Sequence, residues 1–153
     1  MSRLLVDRET LRDPEQRQFE LEGWLDTAPF EQLLGLTIEK AEGGEAVLSV
    51  PFTVKLAQGA GLMHGGALTS LADTAVAMAI KSLLPEGTHF ATTEIGLTFL
   101  APVLEGRVTA RARVSGPKGR TFHGEALLSD EQGRAVASFC AVFRVARGQG
   151  YED

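Results

Sequence analysis

Alternation of apolar and polar residues is clearest between Arg107 and Val114, where Val108, Ala110, Ala112 and Val114 interleave with Arg107, Thr109, Arg111 and Arg113. A period of two is the mark of a strand with one wet face, so this segment is predicted as β-structure. Three further runs, Phe90 to Leu100, Thr121 to Ser129 and Ala135 to Val145, are set apart by turn-forming stretches, and the four together read as an antiparallel meander. Upstream, Leu36 to Lys40 and Glu45 to Phe52 flank Gly43-Gly44. That glycine pair can take the positive φ angles of a tight hairpin, which adds two more antiparallel strands.

Between these blocks the pattern changes. A glycine-rich stretch from Gln58 to Gly66 leads into a run from Ala67 to Leu84 that stops before Pro85, which predicts one long helix. Alanine occupies positions 67, 72, 75, 77 and 79, and Asp73 and Lys81 are the only charges in the run. A helix apolar on nearly every side has to be buried, and small side chains let a curved sheet close tightly on it.

Two shorter helices are predicted before the hairpin. One starts at Asp13 as N-cap and Pro14 as first helical residue and carries Phe19, Leu21, Trp24 and Leu25. The other starts at Thr27 and Pro29, turns Phe30, Leu33 and Leu34 inward and stops at Gly35. The whole order is an α+β plan, with one long helix laid on an antiparallel sheet. It divides into an N-terminal helical extension (residues 1–28), one main domain (29–147) and a short tail (148–153).

A length of 153 residues with 44% apolar content suits one domain with its own core. A formal charge of −5 without any Lys/Arg-rich run excludes nucleic acid or an anionic membrane as a general partner. The first residues mix both charge signs, and nowhere do eighteen apolar residues run together, so a cytoplasmic location is expected. Cys140 sits in an apolar run and is expected to be a small hydrophobe packed in a strand. His89 and His123 show no spacing that links them to metal ligands, and no metal is expected.

The candidate chemistry gathers on the long helix. His64-Gly65-Gly66 opens it, so the N–H groups of Gly65 and Gly66 lack intrahelical acceptors and carry the positive end of the dipole. Such a tip suits an oxyanion, and glycine lets a polarised carbonyl approach the main chain. Taken alone, the triplet reads as a loop-to-helix turn. Asp73 lies within an apolar helix, where a carboxylate needs partners or a task. It reads equally as part of a wet face with Ser70, Thr74, Ala77 and Lys81. Eight residues separate Gly65 from Asp73, about 12 Å along one helix. If both act on one carbonyl, they must come from two subunits whose helices run antiparallel across a two-fold axis.

Three segments carry a resemblance: Gln-Gly-Ala-Gly-Leu-Met-His-Gly-Gly (58–66), Ser-Leu-Ala-Asp-Thr (70–74) and Thr-Thr-Glu-Ile-Gly-Leu-Thr-Phe-Leu-Ala-Pro-Val (92–103). Together, over roughly Pro29 to Val145, the chain resembles the hotdog-fold acyl-CoA thioesterases of the phenylacetate-pathway (PaaI-like) and 4-hydroxybenzoyl-CoA thioesterase type. The resemblance implies a sheet wrapped around the central helix, homodimers joined through a continuous sheet, and homotetramers made by pairing them. It implies an acyl-CoA substrate and no separate cofactor, coenzyme A being part of the substrate. By the same resemblance, the Gly65 N–H polarises the thioester oxygen, His64 positions loop or substrate, and Asp73 is nucleophile or general base. Gln58 holds the attacking water or caps the glycine loop. Thr92, or its neighbour Thr93, places that water. The turn Ser115 to Thr121 corresponds to the segment near the nucleotide of coenzyme A, where Lys118, Gly119, Arg120 and Thr121 are candidate contacts, Lys118 and Arg120 for phosphates. A solvated hairpin tip explains the same residues. Gly66 and Thr93 are further candidate contacts of the substrate.

The extension before Pro29 has no counterpart in this pattern, and its Phe19, Trp24 and Leu25 either lid the acyl pocket, line a subunit contact or pack on the core. Hydrolysis of an acyl-CoA thioester is the first functional reading. The alternatives are a non-enzymatic acyl-CoA-binding domain and an enoyl-thioester hydratase or dehydratase, which fits less well because the proline-rich histidine motif of such relatives is missing.

Overall fold

The computed structural model describes all residues 1–153. In chain order the elements are β1 (Arg3–Leu4), β2 (Phe19–Glu20), α1 (Pro29–Leu34), β3 (Thr37–Glu42), β4 (Glu45–Pro51), α2 (Gly65–Lys81), β5 (Phe90–Phe99), β6 (Arg107–Lys118), β7 (Thr121–Ser129) and β8 (Ala135–Val145). A single 3-10 turn, Val54–Leu56, precedes α2. The hairpin between β3 and β4 turns at Gly43 and Gly44, with φ of 59° and 83°, the left-handed pair its two-residue loop requires.

The main sheet has six strands in the order β3-β4-β6-β7-β8-β5, antiparallel throughout. Helix α2 lies on its concave face, chiefly against β4, β6 and β7. Leu71, Val76 and Ile80 of the helix meet Leu48, Val50, Val108, Phe122, Leu128 and Phe143 of the sheet, all almost wholly buried. Contact is closest at Gly124, where an added Cβ would stand 2.2 Å from Val76 Cγ1. Gly124→Ala is therefore expected to destabilise the fold by about 1–3 kcal/mol, read from the denaturant midpoint. Adding Val76→Ala, which vacates that space, should recover part of the loss.

Four expectations are corrected. No helix forms after Asp13: Asp13 Oδ1 accepts the Glu15 N–H at 2.9 Å in a local turn, and Phe19–Glu20 pairs with β1 instead. The apolar residues of that segment do not hold a helical period, so a helix there would bury no continuous face, and short helices depend on such burial. Only the second short helix, α1, is present, and it does not face inward as expected: Phe30 and Leu33 are 55% and 63% exposed, and Leu34 alone packs against the core. Next, the meander comprises β6, β7 and β8 alone, because β5 crosses to the far edge and pairs with β8. Periodicity identifies strands but does not name their partners. Finally, Cys140 is exposed. The alternation of β8 turns Ala137, Phe139, Ala141 and Phe143 inward and sets Cys140 on the outer face.

Candidate active site

The chain reaches α2 through a glycine loop closed on itself. Gln58 N–H donates to Leu62 O at 2.7 Å, and the Gln58 side-chain oxygen accepts the Ala60 N–H. His64 is the N-cap of α2 in extended conformation, and its Nδ1 accepts the Gly66 N–H at 2.8 Å. In the neutral ring the proton then sits on Nε2. The N–H groups of Ala67 and Leu68 both turn back to His64 O, at 3.0 and 3.3 Å. Gly65 N–H alone in this turn has no acceptor, so the tip presents one free donor at the positive end of a seventeen-residue helix. Gly66 does not add a second, its N–H being held by His64. Gly65, Gln58 and Phe99 line one cleft of about 450 Å³. The Phe99 ring, absent from the sequence-based candidates, stands over Gly65: an added Cβ would lie 2.8 Å from Phe99 Cζ.

Two turns further along, Asp73 opens into a different cleft of about 420 Å³, together with Thr92, Ala77, Phe90 and Phe143. The carboxylate is half-buried and unpaired by any cation, and its one hydrogen bond comes from the Thr92 hydroxyl, Oγ1 to Oδ1 at 2.8 Å. Thr93 faces elsewhere and donates to Val142 O at 3.1 Å, because a register shift between Thr92 and Glu94 bulges the strand there. Burial pushes the Asp73 pKa above the ordinary carboxylate value, and the Thr92 hydrogen bond partly opposes the shift. A raised pKa means the folded state prefers the neutral acid, so the stability from this group is full below the unfolded pKa and lost as pH rises through the folded one. Asp73→Asn is accordingly expected to raise Tm at neutral pH and to weaken the dependence of Tm on pH in the acid range, measured by thermal scans at several pH values.

The remaining candidates sit apart from both clefts, at the tip of the β6–β7 hairpin. Lys118 is exposed there. Arg120 is buried, its Nε and Nη2 donate to the Asp153 carboxylate at 2.9 and 3.1 Å, and its Nη1 donates to Val145 O at 2.9 Å. That guanidinium fastens the C-terminal tail instead of facing solvent. Gly119, at φ 60°, makes room for it: a Cβ would fall 2.5 Å from Glu152 O. Thr121 pairs in the ladder with Lys118 and Arg144. No three His, Cys, Asp or Glu side chains come together as a metal-ligand group, and no helix is long and apolar enough to cross a membrane.

Gly65 and Asp73 thus open into separate clefts on one helix. Comparison with known proteins gives these clefts a context. Residues 60–137 match the family model described as the thioesterase superfamily. A putative esterase of Halobacterium salinarum is 32% identical over 61% of this chain and 65% of its own, a little under two thirds of its length. The acyl-coenzyme A thioesterase PaaI of Escherichia coli K12 is 33% identical over 69% of this chain and 74% of its own. The solved structure of a conserved protein from Pseudomonas aeruginosa superposes with a TM-score of 0.75 at 28% identity, covering 78% of this chain and 95% of that one. With its family model spanning His64, Gly65, Asp73 and Thr92, and its one long helix wrapped by an antiparallel sheet, the chain belongs to the thioesterase superfamily and has the hotdog fold.

Proposed function

We propose that this thioesterase hydrolyses an acyl-CoA thioester at a site shared by two protomers, with Asp73 of one meeting Gly65 of the other. The observation that carries the proposal is the division of the machinery: a free N–H donor at Gly65 and a half-buried carboxylate at Asp73, on one helix about 12 Å apart. Strand β5 supports the pairing. It ends the sheet order, with one edge free, and Ile95 and Phe99 on it and Leu100 just beyond it are about half exposed, the kind of apolar edge that proteins cover. Joining two β5 edges about a two-fold axis extends the sheet across both protomers.

In the reaction, the thioester oxygen accepts the Gly65 N–H, which stabilises the negative charge as the carbonyl carbon becomes tetrahedral. Asp73 either takes a proton from the attacking water or itself attacks, and Thr92 holds the carboxylate by its Oδ1 so that Oδ2 points at the reacting carbon or water. The carbon–sulfur bond breaks, coenzyme A leaves as the thiolate and is protonated, and the acid is released directly or after water cleaves the Asp73 anhydride. His64 acts through the tip, holding Gly66 so that Gly65 stays free. Gln58 lines the Gly65 cleft, and its amide nitrogen, the side-chain oxygen being held by the Ala60 N–H, is the group that would hold water. Exposed Lys118 is the hairpin residue suited to a coenzyme A phosphate. The similarity to the Escherichia coli acyl-coenzyme A thioesterase favours coenzyme A over other thiol carriers.

The test is release of free thiol from a panel of aromatic, short and medium-chain acyl-CoA esters. Turnover of at least one is expected, whereas tight binding of acyl-CoA with no thiol released from any member would favour a binding domain. Loss of absorbance from an enoyl thioester without thiol release would favour a hydratase.

A further inference from the structure

The extension before α1 is tied into the domain. Ser2 N–H donates to Thr27 O at 3.2 Å, and the Gln32 side chain of α1 donates to Ser2 Oγ and Thr27 O at 2.6 and 3.0 Å. Its Trp24 is carried to the C-terminal end of α2, where two reciprocal bonds hold it: Trp24 Nε1–H donates to Lys81 O at 2.9 Å, and Lys81 Nζ donates to Trp24 O at 3.0 Å. The ammonium lies 4.5 Å from the indole centroid, a cation–π contact. The carbonyl that Trp24 satisfies is one of those a helix end leaves without an intrahelical partner. Trp24 also lines the Asp73 cleft, with Ala77 between them on the helix and Phe90 and Phe143 along the side.

From this placement we infer that Trp24 is the specificity-determining end wall of the acyl cleft, limiting the enzyme to acyl groups that fit between Asp73 and the indole. The inference rests on Asp73 marking the thioester carbon. Lys81 lies eight residues beyond Asp73, so the space along the helix is about 12 Å at 1.5 Å per residue. A compact ring or short chain extending from the carbonyl meets Ala77, Phe90 and Phe143 and stops at Trp24. A longer chain collides with a ring that is bonded at both its N–H and its backbone carbonyl and so does not swing aside. Phe19 and Leu25, the extension residues named beside Trp24 in the sequence, do not line this cleft.

Trp24→Phe, Trp24→Leu and Trp24→Ala, assayed for kcat/KM over a straight-chain acyl-CoA series, test the wall directly. The preferred chain length should grow as the side chain at 24 shrinks, with the ratio of long-chain to short-chain kcat/KM at least about tenfold higher in the smallest variant, the discrimination one or more methylenes confer in an apolar pocket. Trp24→Phe keeps a flat apolar wall and should leave the preference near wild type. If Trp24→Ala fails to fold, Trp24→Leu decides, with Trp24→Phe as the control that keeps a wall. An unchanged chain-length profile in folded Leu and Ala variants overturns the inference and leaves the Asp73 reading intact, whereas full activity of Asp73→Asn removes that reading whatever the profile.

Discussion

Replacing Asp73 by Asn is expected to lower kcat by about 10²- to 10⁴-fold while KM changes little, since a positioned acid–base or nucleophilic group acts on the transition state and not on the bound substrate. The substitution keeps the volume and can still accept the Thr92 hydroxyl, so the fold should survive and, by the burial argument, gain thermal stability at neutral pH. Gain of stability with loss of turnover is the pattern of a carboxylate retained for chemistry at the expense of the fold. In the wild type, activity should fall as pH drops through the Asp73 ionisation, at a midpoint above that of an ordinary carboxylate because desolvation raises it. Full activity in Asp73→Asn, by thiol release under saturating substrate, would end the proposed mechanism.

Mixing two inactive variants is expected to restore activity. Gly65→Pro removes the free N–H at a position where proline is tolerated, the first residue of a helix preceded by His64 in extended conformation. The added atoms meet the far end of the Phe99 side chain, which has to shift, so dimer formation by the variant is checked beside its activity. Loss of such a donor should cost about 10²- to 10³-fold in kcat. In a dimer of one Asp73→Asn and one Gly65→Pro chain, a shared site joins either the two intact groups or the two damaged ones. Random assembly at equal amounts makes half the dimers mixed, each with one of its two sites whole, so about a quarter of wild-type activity should return. Were Asp73 and Gly65 of the same chain to work together, every site would keep one defect and nothing would return. Refolding the two chains together, with thiol release as the readout, separates these outcomes.

Local chemistry was legible in the residues. The α2 start at His64-Gly65-Gly66, the hairpin at Gly43-Gly44 and the spans of β5, β7 and β8 follow from caps, turn residues and period, which depend on near neighbours only, whereas β6 continues to Lys118, past Val114, where its alternation ends. The choice between Thr92 and Thr93 was not legible, because a bulge shifts the face of a strand without leaving a mark in its alternation. Phe99 was hidden for a related reason, and Trp24, though named among the residues offered as a lid, gave no sign of its partner: each reaches α2 from a distant part of the chain, and an aromatic residue gives no hint of the glycine or lysine it will meet.

By itself the amino-acid sequence determined that one nearly uncharged helix would be buried against an antiparallel sheet, and that its glycine tip and its carboxylate would lie too far apart to serve one carbonyl within one chain. Helical rise and the cost of burying charge are set locally. Only the tertiary structure decided that Thr92 grips Asp73, that His64 occupies the Gly66 N–H and leaves Gly65 free, that Arg120 turns inward to the C-terminal tail, and that Trp24 bonds to Lys81 and lines the Asp73 cleft. Each of these is a meeting of side chain and partner whose geometry depends on strand order and register, which long-range packing selects and no short run of residues encodes.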